Sequence, residues 1–102
     1  MARILTKQLK AISHESRLAL LQWLKDPVAN FPSQRDGDLI KDGVCSVFIA
    51  RKWGVAPPTA TRHLSMLRDA KFLIATRKKG WTFYRRNEAE ILRFRRKLSN
   101  DL

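Results

Sequence analysis

Two helical segments joined by a short glycine-containing turn constrain the fold of this chain most. Apolar residues return at helical spacing from Val44, and the pattern predicts a helix that runs to Trp53. Gly54 follows at a position that suits a left-handed helix end. Pro57 and Pro58 fit only the first turn of another helix, because proline lacks the N–H that is unpaired there in any case. The segment therefore predicts a helix-turn-helix.

The second of these helices has an apolar and a polar face between residues 59 and 70. Ala60, Leu64 and Leu67 recur at helical spacing and predict the buried face. In a helix-turn-helix, residues near the N-terminus of the second helix meet the base edges of DNA. The candidate DNA-binding residues on the polar side are Thr59, Thr61, Arg62, Ser65 and Arg68. An ordinary helical hairpin inside a core is the alternative.

A β-hairpin is predicted directly after this helix. Residues 72–75 and 82–86 have strand composition, and the turn between them carries the consecutive cations Arg77, Lys78 and Lys79 before Gly80. A hairpin in this position is a wing, and a basic tip is typical of a wing that contacts phosphates or a minor groove. The alternative is a tip that is only solvated. The predicted fold class is mainly α with a small β-hairpin, a winged helix-turn-helix.

The charge of the chain indicates a polyanionic partner. The net charge is +12, of which residues 51–102 carry +10 and residues 1–50 carry +2. Nucleic acid is the first candidate partner, although a generally solvated basic surface is an alternative. No apolar run reaches the ~18 residues of a membrane span, and the first 25 residues lack the apolar core of a signal peptide. We expect one domain over residues 1–102, without a membrane partner, in the cytoplasm.

The segments before the helix-turn-helix predict two more helices and a loop. The first helix is expected over residues 3–12, and Ser13 is expected to cap the N-terminus of a second helix that ends at Asp26-Pro27. Residues 27–43 contain prolines, glycines and several aspartates, and they predict an unusually long loop. After the hairpin, Asn87 is expected to cap a last helix over residues 88–98.

Two sequence runs resemble the ArsR-type winged-helix repressors. They are LKAISHESRLALLQWL and VCSVFIARKWGVAPPTATRHLSMLRDAKFLIATRKKGWTFYRRN, and the stretch from Ile49 to Arg85 is the most specific. The likeness covers about residues 5–92 without the long loop. It implies the element order α-α-α-α-β-β-α and a symmetric dimer built from the first and last helices. It also implies a repressor that binds double-stranded operator DNA and releases it when an effector binds.

The terminal helices agree with such a homodimer. Each has an apolar stripe that a lone small domain would leave partly exposed, and a two-fold interface would cover both stripes. The expected interface residues are Ile4, Leu5, Leu9, Ile12, Ile91, Phe94 and Leu98.

The chain departs from the family at its metal sites. Metal-sensing members typically have a Cys-x-Cys pair, but here Cys45 is followed by Val47 at the second place, and the last helix has no histidine. We therefore expect no metal and no other cofactor. Cys45 is either a small buried residue or a redox-active thiol. Pro57 also stands where the family commonly has a polar residue, which removes one possible base contact.

The same residues give no sign of an enzyme. There is no glycine-rich phosphate loop and no nucleophile–histidine arrangement with a supporting acid. His14 is expected to be a capping or surface residue, and His63 is expected to pack between helices or near a phosphate. The sequence predicts a dimeric, sequence-specific transcriptional regulator, with an effector that the residues do not identify. The alternative is a basic architectural protein that binds nucleic acid without sequence preference.

Overall fold

The computed structural model describes the backbone of residues 2–102 and the side chains of residues 6–102. Within this range the chain forms a mainly helical fold with a small antiparallel sheet, as predicted. In chain order the elements are α1 (Ala2–Ile12), α2 (Glu15–Trp23), α3 (Pro27–Asn30), β1 (Val44–Cys45), α4 (Ser46–Trp53), α5 (Pro57–Asp69), β2 (Leu73–Lys78), β3 (Trp81–Arg86) and α6 (Glu88–Asp101).

The apolar face of α5 lies in the centre of the core. Ala60, Leu64 and Leu67 are at most 2% exposed, which confirms the predicted buried face. Residues elsewhere in the chain that are equally buried include Leu20, Ile49 and Phe72. Each buried Leu, Ile or Phe side chain contributes about 1.5–3 kcal/mol relative to an exposed one. The packing therefore fixes which side of α5 is buried and which side faces solvent.

The turn between α4 and α5 has the predicted geometry. Gly54 adopts a left-handed conformation with φ 71° and ψ 34°. Its N–H and that of Val55 both donate to the carbonyl oxygen of Ala50, so the end of α4 is closed. Pro57 then begins α5. The two helices and their short turn form the expected helix-turn-helix.

The predicted cap of α2 was wrong by one residue. The His14 Nδ1 atom accepts a hydrogen bond from the backbone N–H of Ser16 at 3.1 Å, so His14 is the N-cap residue. The Ser13 hydroxyl instead donates to the carbonyl oxygen of Lys10 at the end of α1. His14 therefore has the capping role, which was one of the two roles expected of it.

The segment between α2 and α4 contains more regular structure than predicted. Asp26 caps the one-turn helix α3 at the start of the expected loop. Val44 and Cys45, predicted as the first residues of a helix, form the strand β1 and pair with Tyr84 and Phe83 of β3. The sheet order is β1-β3-β2, so β1 covers one edge of the wing.

The wing has a tighter turn than predicted. Lys78 pairs with Trp81, which leaves only Lys79 and Gly80 in the turn, both with positive φ. This is the conformation that the right-handed twist of a two-residue hairpin favours. Arg77 and Lys78 therefore belong to β2.

Phe94 belongs to the core of the single chain, not to the exposed stripe on which it was predicted. It is 5% exposed, and its ring meets the ring of Phe72 edge-on at 5.1 Å between centroids. On the same helix Leu92 is 44% exposed, and Ile91 and Leu98 are partly buried against the core. The helix also extends to Asp101, three residues beyond the predicted end.

The other expected interface residues lie on α1. Leu9 is 38% exposed, and Ile12 is partly buried against the core. The side chains of Ile4 and Leu5 lie outside the described residues. Gln8 links the two terminal helices, because its Nε2 donates to Glu90 Oε2 at 2.9 Å.

The place of Phe94 can be tested by its cost to folding. We expect Phe94→Ala to lower the free energy of unfolding by about 3–5 kcal/mol, because a buried aromatic ring is removed and a cavity remains. The matched control is Arg95→Ala on the exposed side of α6, which should change it by about 0.5 kcal/mol or less. Urea unfolding measures both. Equal effects of the two changes would contradict the assignment of Phe94 to the core.

Candidate nucleic-acid interface

The solvent-facing side of α5 carries the predicted contact residues. Thr61, Arg62 and Arg68 are exposed, and Thr59 and Ser65 are half-buried at the border with the core. Arg68 Nη2 lies 3.8 Å from Asp69 Oδ1 in an exposed ion pair. Arg62 is in no ion pair among those found in residues 6–102. Its guanidinium is therefore the one on this helix that is ready for an external partner.

The N-terminus of α5 attracts anions by its field more than by its backbone donors. The first turn contains no acidic residue, so the positive end of the helix dipole is not compensated there. Pro57 and Pro58 have no N–H, and the N–H groups of Thr59 and Ala60 both donate to the carbonyl oxygen of Ala56. Direct contacts to a ligand at this end must therefore come from side chains.

Two adjacent grooves connect α5 to the wing. The first has a volume of about 320 Å³ and lies between α4 and α5, with Arg51, Pro57 and Thr61 in its wall. The second has a volume of about 200 Å³ and lies between α4, the wing and the preceding loop, with Arg51 and Trp81 in its wall. Arg51 borders both grooves, so the surface continues to the wing from α5, which is the recognition helix of the helix-turn-helix. Arg51 was not predicted from the sequence, although a cation on an exposed position of the first helix of the motif was a usable signal.

The predicted wing cations are exposed but have partners. Arg77 Nη1 donates to the Thr82 hydroxyl at 3.2 Å along the hairpin. Lys78 Nζ lies 3.4 Å from Asp42 Oδ2, and Lys79 Nζ lies 4.0 Å from Asp36 Oδ1. Both carboxylates belong to the loop before β1. These pairs were not predicted from the sequence, because the partners are far apart in the chain.

A buried arginine fixes α5 from behind. Arg17 is 6% exposed, and its guanidinium donates to the carbonyl oxygens of Ala11 and Lys10 at 2.6 and 3.2 Å. These carbonyls lie at the C-terminus of α1, the negative end of that helix. The remaining nitrogen, Nη1, lies 3.0 Å from Nδ1 of His63 on α5. Arg17 therefore joins the end of the first helix to the recognition helix.

His63 is the acceptor in this arrangement. Its ring packs between His14 and Trp53, at 4.7 and 5.2 Å between centroids, as the expectation of packing between helices required. Burial lowers the pKa of His63 below its usual 6.5, and the positive fields of His14, Arg17 and Arg62 lower it further. His63 is therefore neutral at neutral pH, and its Nδ1 lone pair accepts the hydrogen bond from Arg17.

Cys45 is placed as a small buried residue. It is 8% exposed at the start of α4, and its backbone N–H donates to Gln34 Oε1 at 2.7 Å. A buried thiol is shielded from oxidants, which favours the structural alternative for this residue. Among residues 6–102, no three His, Cys, Asp or Glu side chains come together as a potential metal site. Within the described helices, none is long and apolar enough to cross a membrane.

The comparisons with known proteins agree with this geometry. The chain is 39% identical over 82 residues to the uncharacterised HTH-type transcriptional regulator YbzH of Bacillus subtilis (strain 168), a match that covers 80% of this chain and 82% of that protein. No family model matches the chain.

Solved structures share the fold. NolR from Sinorhizobium fredii aligns with a TM-score of 0.64 and 20% identity over 97% of this chain and 84% of its own. An ArsR-like transcriptional regulator from Rhodococcus sp. RHA1 aligns with a TM-score of 0.70 and 19% identity over 97% and 79% of the two chains. A possible transcriptional regulatory protein from Mycobacterium bovis (fragment 1–100) aligns with a TM-score of 0.66 and 20% identity over 99% of this chain and 95% of its own.

The fold and the relative define the class of protein. A winged helix-turn-helix with an exposed polar recognition helix, together with a transcriptional regulator as a close relative, makes this chain a DNA-binding transcriptional regulator. The chain belongs to the HTH-type transcriptional regulators, and its fold is that of the solved ArsR-like regulator.

The state of His63 predicts how stability depends on pH. Because the pKa of His63 is lower in the folded than in the unfolded chain, the unfolded chain binds more protons below pH 6.5. Stability should therefore fall as the pH falls from 6.5 toward the pKa of the folded state, by at most about 1.4 kcal/mol per pH unit from this residue. His63→Asn, which keeps an acceptor for Arg17 but does not titrate, should remove this slope. Urea unfolding between about pH 5 and 7.5 measures it. An unchanged slope in His63→Asn would contradict the prediction.

Proposed function

We propose that the protein is a homodimeric repressor that reads a two-fold symmetric operator with α5 and holds its backbone with the wing. One observation carries the proposal. The recognition helix buries Leu64 and Leu67 almost completely and presents Thr61 and Arg62 to solvent, at a helix N-terminus that has no acidic residue. Two copies related by a two-fold axis would present these helices to half-sites about 10 base pairs apart.

Arg62 is proposed as the residue that reads bases. It lies one turn after Pro58 on the exposed side of α5, in the half of the helix that meets base edges. A guanidinium can pair with both the O6 and N7 atoms of guanine, which is the commonest specific contact to DNA. Thr59 and Thr61 lie beside it, and their hydroxyl and methyl groups can add contacts to the neighbouring bases.

The remaining exposed cations are proposed as phosphate contacts. Lys78 and Lys79 are flexible point charges at the end of the hairpin, which suits backbone oxygens better than base edges. Arg77 on the same hairpin and Arg68 farther along α5 extend this set, and the half-buried Ser65 can add a hydroxyl contact to the backbone. Arg51 joins it, because it borders the surface between the recognition helix and the wing.

The terminal helices are proposed as the dimer interface. Leu9 on α1 and Leu92 on α6 are the large apolar residues that stay well exposed on these helices within residues 6–101. The hydrogen bond between Gln8 and Glu90 holds the two helices together, so one partner surface can cover both. Ile12, Ile91 and Leu98 would become fully buried in the same interface.

A single series of binding measurements tests the roles of α5 and the wing. Selection of bound duplexes from random DNA first gives the preferred sequence, which we expect to be a palindrome. Arg62→Ala should then weaken binding to that sequence. It should also reduce the difference in binding free energy between that sequence and random DNA by about 1–3 kcal/mol. Arg62→Lys keeps the positive charge but loses the paired N–H donors that can reach O6 and N7 together. Compared with Arg62→Ala, it should therefore recover more of the overall affinity than of the preference for the selected sequence.

The wing variant should behave differently. Lys78→Ala with Lys79→Ala should weaken binding to the selected and the random duplex alike. It should also make the slope of log binding constant against log salt concentration less steep, by about 0.9 for each phosphate that a lysine no longer neutralises. Equal effects of Arg62→Ala on both duplexes would instead make Arg62 another residue that binds phosphate. If selection enriches no sequence, the protein is architectural and the operator proposal is wrong.

The interface can be tested with a matched pair of variants. Leu9→Glu places a charge in the proposed interface and should give a monomer in sedimentation velocity, because an unpaired charge in an apolar contact is costly to bury. Leu18→Glu is the control, since Leu18 is 44% exposed on α2 rather than on a terminal helix. A Leu9→Glu protein that remains a dimer would show that the subunits meet elsewhere.

A further inference from the structure

The loop of residues 34–43 is closed by the side chain of one glutamine. Gln34 Nε2 donates to the carbonyl oxygens of Gly37 and Gly43 at 3.2 and 3.0 Å. Its Oε1 accepts from the N–H of Cys45 at 2.7 Å, directly before α4. The nitrogen of this half-buried amide thus bonds within the loop, and its oxygen bonds to the residue just after β1 begins. The segment has a defined shape, although it was predicted only as an irregular loop.

Two glycines hold this loop directly against the wing. A Cβ atom at Gly37 would collide with the ring of Phe83, and one at Gly43 would collide with the carbonyl group of Tyr84. Gly43 also has φ +104°, a conformation that side chains disfavour. Since Phe83 and Tyr84 are central residues of β3, the loop and the wing form one packed unit.

Two of the three aspartates of the loop, Asp38 and Asp42, accept hydrogen bonds from its backbone. Asp38 Oδ1 accepts from the N–H groups of Ile40 and Lys41. Asp42 Oδ2 accepts from the N–H of Asp38 at 2.8 Å. That hydrogen bond, and then Lys78, keep the pKa of Asp42 below its usual 3.8, so Asp42 is ionised at neutral pH. The loop therefore presents ionised carboxylates from a fixed backbone.

The carboxylates face the two lysines at the wing tip. Asp42 lies 3.4 Å from Lys78 Nζ, and its side chain is only 16% exposed. Asp36 lies 4.0 Å from Lys79 Nζ. The charges of two acidic and two basic side chains thus neutralise each other at the place where the proposed function needs a positive charge.

We propose that Asp36 and Asp42 are internal counter-ions of the wing, which DNA phosphates must displace before Lys78 and Lys79 can contact the backbone. This inference rests on the proposed function, because it assumes that these lysines contact DNA. Exposed ion pairs are weak, so a duplex with its dense phosphate charge can displace them. The displacement still lowers the affinity of the wing for DNA of any sequence. In a chain with net charge +12, this limits binding to random DNA.

The test replaces the carboxylates and measures binding to a labelled duplex of mixed sequence by fluorescence anisotropy. Asp36→Asn with Asp42→Asn should bind about fivefold more tightly, because two weak ion pairs with solvent-exposed lysines no longer compete with DNA. The control for charge alone is Glu15→Gln with Asp101→Asn, which removes two carboxylates from exposed positions far from the wing in sequence. This control should bind less tightly than the loop variant.

A second comparison isolates the lysines. In a protein with Lys78→Ala and Lys79→Ala, the loop replacement should change the affinity no more than the charge control does. Asp36→Asn alone, outside the hydrogen bonds that close the loop, gives a variant whose folding should be unchanged, and thermal unfolding checks this. If Asp36→Asn and the variant with both aspartates replaced fold normally but bind no more tightly than the parent, the inference is wrong. The proposed function is unaffected by that result. If the lysine variant binds as tightly as the parent, the wing makes no contact, and both the inference and the proposed role of the wing are wrong.

Discussion

The packing of α5 is the constraint on which the other features depend. Ala60, Leu64 and Leu67 are almost fully buried, and the same side of the helix meets residues of the helices before it and the sheet after it. A rotation of α5 about its axis would expose these side chains and bury Arg62 instead. Because that exchange costs several kcal/mol in apolar burial alone, the face presented to DNA is fixed by the core.

Arg17 adds a polar restraint to this apolar one. A buried guanidinium needs hydrogen-bond acceptors, and here they come from the C-terminal carbonyls of α1 and from His63 on α5. The terminal helix that is proposed to form the dimer is thus held to the recognition helix by Arg17, in addition to the hydrogen bond that Gln8 of α1 donates to the carbonyl oxygen of Ala70 at the end of α5.

The sequence was sufficient for those features whose signals are local. Gly54 and the two prolines after it defined the helix-turn-helix, and the spacing of Leu64 and Leu67 defined the buried side of α5. A DNA-binding protein followed from these features and from the charge of the second half, and the resemblance to the ArsR-type repressors implied a transcriptional regulator. These predictions succeeded because each depends on residues that lie close together in the chain.

Features that depend on distant residues could not be predicted in the same way. The strand at Val44 exists because it pairs with Tyr84 of the wing. An apolar stripe on the last helix did not reveal that Phe94 faces the core while Leu92 faces solvent, since both fit a helical stripe. The ion pairs of Lys78 and Lys79 with loop aspartates likewise depend on how the loop folds against the hairpin. In the sequence these are separate acidic and basic groups, and only the folded chain brings them together.

The solvent-facing side of α5 and the wing are proposed to form together the surface that binds DNA. Titration of the ¹⁵N-labelled protein with a short duplex, followed by amide chemical shifts, tests it most directly. We expect the largest shifts on residues 59–65 of α5 and on residues 77–81 of the wing, with little change on the exposed side of α6. Shifts concentrated on α1 and α6, with α5 and the wing unmoved, would contradict it.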